Sequence, residues 1–212
     1  VQAAINRATS SDYFGHDDRT VKVGLVIYRD YSDGKYVTEY LSMRKPTDTK
    51  LVQWLKKGGE YGIRNSPNDN SDYEALYEGL KIAVDEKKMN YSRAQSNLMF
   101  VIGDCGNVPN EKATAAQKQI IEKCIENRIQ LSSFNVRNID AGPYQQFRKQ
   151  MASIVMKNMN GQYEQLGGKV VPKWEPSADG YDFHGVKDDY TFFIGSFRNV
   201  ESGREMTDQQ LY

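Results

Sequence analysis

The stretch Asn97-Leu98-Met99-Phe100-Val101-Ile102-Gly103-Asp104-Cys105-Gly106-Asn107 constrains this chain more than any other. The run Leu98 to Ile102 is continuously apolar and leaves no polar face, so it reads as a strand buried in a sheet. It passes directly into Gly103-Asp104 and a loop. A strand of an open α/β sheet ends this way when a carboxylate faces the ligand crevice at its carboxyl edge. Asp104 is therefore the first candidate functional residue. The residues alone leave two roles open for it, a metal ligand or a carboxylate that caps the Asn107 turn or the next helix.

Periodicity organises the rest of the chain. Val1, Ala4, Ile5 and Ala8 have helical spacing, and Thr20 to Tyr28 reads as a strand rich in β-branched residues. Arg29-Asp30-Tyr31-Ser32-Asp33-Gly34 is turn chemistry, and Tyr36 to Met43 completes a hairpin. A helix follows Pro46-Thr47-Asp48, runs through Leu51, Val52, Trp54 and Leu55, and stops at Gly58-Gly59. After the polar loop Asn65 to Asn70, Ser71 and Glu74 have the spacing of a capping box. That box predicts a helix burying Leu76, Leu80, Ala83 and Val84.

Beyond Asp104, Ile120, Ile121, Cys124 and Ile125 form one helix face, Arg128 to Val136 reads as a strand, and Tyr144, Phe147, Met151, Ile154 and Val155 line a long helix. Gln162 to Val171 has room for a further strand, Trp174 to Gly180 reads as a linker or loop, and Asp189 to Phe197 as one more strand. Together these parts predict an α/β fold: a Rossmann-like open, mostly parallel sheet with one antiparallel edge strand and helices on both faces. The domain so defined covers residues 1–171, with a C-terminal extension over 172–212.

The chain has 212 residues, with 28 basic and 28 acidic side chains and no formal net charge. Non-specific nucleic-acid binding needs a basic excess, so nucleic acid is not the expected partner. No stretch approaches the roughly 20 apolar residues that span a bilayer, so direct membrane insertion of this chain is not expected. Cys105 and Cys124, the two cysteines, read as unpaired thiols. Tyrosine is abundant, and Tyr28, Tyr31, Tyr36 and Tyr40 gather in or near the hairpin; exposed aromatics there favour contacts with a protein partner, and ordinary strand packing is the other reading for each of them.

The order of parts resembles a von Willebrand factor A (vWA) domain of the intracellular and bacterial branch. The matching pieces are the strand Val21 to Tyr28 with its Tyr28-Arg29-Asp30 turn, the helix ending Gly58-Gly59, the helix start Asp72-Tyr73-Glu74-Ala75-Leu76-Tyr77-Glu78-Gly79-Leu80, and Val101-Ile102-Gly103-Asp104. The resemblance covers roughly Val1 to Asn160. It implies a divalent cation such as Mg²⁺, with Asp104 as one ligand and Asn70 or Ser71 where the family has a threonine. The family's Asp-x-Ser-x-Ser loop and the central first strand before it are absent, because the chain begins in the helix that should follow them. The expectation is that this strand lies upstream, or that Tyr190 to Phe197 fills its place.

By the same resemblance, the domain is a non-enzymatic protein-binding scaffold in a larger complex. Its working face is the Arg29 to Gly34 turn with Arg29, Asp30 and Asp33, the Asn65 to Ser71 loop with Asn68 and the neighbouring Asp72, and Asp104. The tyrosine- and asparagine-rich composition, with an A-type domain followed by a further segment, is also similar to the TssR component of Bacteroidetes type VI secretion systems. That likeness implies scaffolding in a bacterial cell envelope.

The alternative class is an α/β hydrolase-type enzyme with Cys105 as nucleophile, just past a strand in Gly103-Asp104-Cys105-Gly106. It needs a base, and His16 and His184 are the only histidines. No Gly-x-Ser-x-Gly elbow, Walker loop or Gly-x-Gly-x-x-Gly is present, and two histidines without a Cys-x-x-Cys argue against zinc.

Overall fold

The computed structural model describes residues 21–57, 73–136 and 142–165, together with the backbone of 173–177, 180–187 and 190–199. The chain divides into two units, Val1–Ser92 and Arg93–Tyr212.

In the first unit, β1 (Val23–Tyr28) and β2 (Thr38–Arg44) pair antiparallel, with Tyr28 opposite Thr38 and Leu25 opposite Leu41. The expected hairpin is therefore present. Helix α1 (Thr49–Lys57) starts because the Asp48 carboxylate accepts the Lys50 and Leu51 amides at 2.9 and 3.2 Å. Those same bonds, with Arg44 beside it, hold the Asp48 carboxyl below its usual range. Leu51 and Trp54 then pack on Leu41, with Val23, Leu25, Ile27 and Leu55 around them.

Helix α2 (Leu76–Ala83) begins later than the capping box predicts, with Ala75 at the N-cap and no side-chain cap. Glu74 instead pairs its backbone with Asp30 in an isolated antiparallel bridge. Leu76, Leu80 and Val84 are buried as the spacing requires, while Ala83 is only half-buried. The short helix α3 (Glu86–Met89) closes the unit, capped by the Asp85 side chain.

In the second unit, β3 (Asn97–Gly103) and β4 (Ile129–Asn135) are parallel and in register from Asn97↔Ile129 to Gly103↔Asn135. Helix α4 (Glu111–Glu126) connects them, and the long helix α5 (Gly142–Gln165) follows β4. Three further strands, β5 (Lys173–Ser177), β6 (Gly180–Lys187) and β7 (Tyr190–Asn199), complete a five-stranded sheet of order β3-β4-β7-β6-β5. β7 is parallel to β4, whereas β6 and β5 are antiparallel to their neighbours.

The fold is thus α/β. The described strands form an antiparallel pair and a mixed sheet, not a single mostly parallel one. Three local expectations change. Trp174 to Ser177, expected in a loop, is strand β5. Gln162 to Gln165, expected near a strand, continues α5, because Tyr163 extends the buried stripe of Ile154, Val155 and Met159. Tyr190 to Phe197 is a strand as expected, but it sits beside β4 and not beside β3.

The core of this unit forms where α4 and α5 pack on each other and on β4. Phe147, Met151, Ile154 and Met159 are fully buried, and each removes enough apolar surface to contribute about 1.5–3 kcal/mol. Gly161 lets α5 approach Ile125 of α4 closely, since a Cβ at Gly161 would strike that side chain. Polar residues interrupt the stripe where they have work on the backbone. Asn158 and Gln162 both donate to the Ile129 carbonyl, at 2.9 and 2.7 Å, and pin the start of β4 to α5.

Ser133 of β4 is fully buried, and its Oγ has no hydrogen-bond partner among the described residues. An unsatisfied buried hydroxyl costs stability that a methyl group of similar size does not. Ser133→Ala is therefore expected to leave stability unchanged or raise it by up to about 1 kcal/mol in urea unfolding.

Candidate functional site

The described part of the expected working face falls on two loops, one in each unit. The Arg29 to Tyr36 turn of the first unit holds two 3-10 turns within Tyr31–Tyr36, broken by a kink at Gly34 and capped by Asp30, whose Oδ1 accepts the Ser32 amide at 2.6 Å. Gly34 sits at φ +59°, a conformation that glycine adopts without strain. The Arg29 guanidinium forms an ion pair with Glu39 and donates to the Tyr36 carbonyl at 2.9 Å, while the Arg29 carbonyl accepts the Ala75 amide at 2.9 Å.

Arg29 and Asp30 are buried, so they hold the turn's shape rather than face a partner. Tyr31 is exposed, Asp33 is half-buried, and the exposed Lys35 places its ammonium 5.0 Å from the Tyr36 ring centre.

The loop after β3 is fixed just as closely. The Gly106 amide donates to the Pro143 carbonyl at 2.9 Å. The Gln150 carboxamide grips the Asn107 backbone at both ends: the Asn107 amide donates to Oε1 at 2.8 Å, and Nε2 donates to the Asn107 carbonyl at 2.9 Å. Both residues are buried. Asn110 caps α4, its side chain accepting the Ala113 amide at 2.8 Å. Gln150 therefore holds the Asn107 turn and Asn110 caps α4. Asp104 stands half-buried just past the carboxyl end of β3.

Asn68, Asn70, Ser71 and Asp72 lie outside the described residues, as does His16, and nothing is described of the His184 side chain. Asp104 is consequently the one expected metal donor in view. Asp104 would supply one of the roughly six oxygens that a Mg²⁺ ion takes.

Cys105 is buried in the clamped loop, and Cys124 lies in the α4 core, where burial pushes its thiol up to about 12. The unfolded chain ionises this thiol first, near its ordinary value of 9.0, so ionisation favours unfolding as pH rises past that point. Cys124 is expected to react with iodoacetamide only as fast as the protein unfolds. Cys105 is expected to react no faster than an ordinary free thiol; rapid alkylation near neutral pH would instead support the nucleophile reading. Peptide mass mapping separates the two sites.

Sequence reasoning missed the Leu98 face of β3. Leu98, Phe100 and Ile102 are 57, 62 and 50% exposed, whereas Val101 is buried between them. Phe134 of β4 lies beside Phe100 with ring centres 6.2 Å apart. A continuous apolar run has no alternation, so nothing in it says that one face lacks cover. Glu39, Gln150 and Asn158 were also missed. Gln150 and Asn158 were visible as polar residues at helical spacing within the α5 apolar stripe.

No protein-family model matches this chain, and no curated protein matches it. No helix among the described residues is long and apolar enough to cross a membrane.

Proposed function

We propose that this chain is a non-enzymatic, vWA-like scaffold module that binds a protein partner within a larger assembly. The observation that carries the reading is the exposed stripe Leu98, Phe100 and Ile102, flanked by Phe134. Large side chains at this exposure present on the order of 300 Å² of contiguous apolar surface, the scale at which a patch marks an interaction site. The strand beneath it is uncharged from Asn97 to Gly103, and its outer edge pairs with no described strand. Natural proteins usually guard such edges with charge or proline.

The order of parts supports the family side of the proposal: a hairpin, a helix, a second helix, then the β3–α4–β4 crossover with Asp104 just after β3. The finer architecture that goes with it is an open, mostly parallel sheet with helices on both faces. A partner laid over the Leu98 stripe would cover the apolar face that the described residues leave open.

Phe100→Lys tests the reading. The variant is expected to keep its melting temperature within a few degrees, because exposed positions change stability little. It is also expected to lose, by tenfold or more, the proteins that co-purify with the wild-type chain from its native source, since a charge at the centre of an apolar contact is costly to bury. Equal recovery of the same proteins by both forms would overturn the proposal.

A further inference from the structure

We draw no further inference here: the strongest candidate, the outer edge of β3 beside the Leu98–Phe100–Ile102 stripe, belongs to the surface already described, and nothing in the structure shows which particular segment covers it.

Discussion

Gly106→Ala is expected to destabilise the second unit by about 3 kcal/mol, a loss that comes from one methyl group in an exact fit. A Cβ at Gly106 would lie 2.6 Å from the Phe147 amide nitrogen and 2.8 Å from the Gln146 carbonyl carbon. These are backbone atoms of α5, and they cannot step aside as the end of a flexible side chain can. The loop must move instead. Movement breaks the Gly106–Pro143 hydrogen bond and pulls Asn107 away from Gln150. The buried Asn107 amide and Gln150 carboxamide then lose partners at about 1–3 kcal/mol for each group left unsatisfied.

Urea unfolding gives the loss directly, and the melting temperature is expected to fall by about 10 °C. Gln150→Leu is the matched control, since it removes the grip on Asn107 without adding a methyl group at residue 106. It is expected to cost about 2 kcal/mol. A Gly106→Ala protein as stable as wild type would show that the loop is not clamped in this way.

The second large effect is expected at Arg29. The Arg29 and Glu39 side chains are 9 and 10% exposed, so the pair is nearly withdrawn from water. Arg29→Ala would leave the Glu39 carboxylate without that cation in a poorly solvated place and free the Tyr36 carbonyl of its donor. Breaking one partner of such a pair costs about 3–5 kcal/mol. Replacing both partners removes the stranded charge, so Arg29→Met with Glu39→Leu is expected to recover most of the loss. The double-mutant cycle isolates the coupling between the two side chains. Equal losses in the single and double variants would show that Arg29 acts through packing alone.

The two effects also show what was legible in the residues. The elements with a clear local signal were read correctly: the β-branched β1 with its turn residues and β2, and the apolar stripes of α4 and α5. Asp48 was placed just before α1, and its carboxylate caps that helix. Local chemistry misled at Ser71 and Glu74, because the Glu74 backbone is drawn into a bridge with Asp30 and α2 starts at Leu76. Trp174-Glu175-Pro176-Ser177 carried turn signals yet pairs with Gly180 to Phe183 in a tight hairpin, where an edge strand tolerates a single proline.

For the candidate site, Asp104 was legible as a residue at the end of a strand, but the groups that fix its loop were not. Gln150 is 43 residues from Asn107 along the chain, and no local pattern links them. The exposed side of β3 was hidden for a related reason. Whether an apolar run is covered on one face or two depends on what packs over it, which the run does not encode.

Hydroxyl-radical footprinting with mass spectrometry would test the scaffold reading most directly, by comparing the purified chain with the same chain in its native assembly. Leu98, Phe100 and Ile102 are expected to be oxidised readily in the chain alone and protected severalfold in the assembly, with buried Leu131 and Phe147 unreactive in both. Equal oxidation of the three residues in both states would contradict the proposal that this face holds a partner.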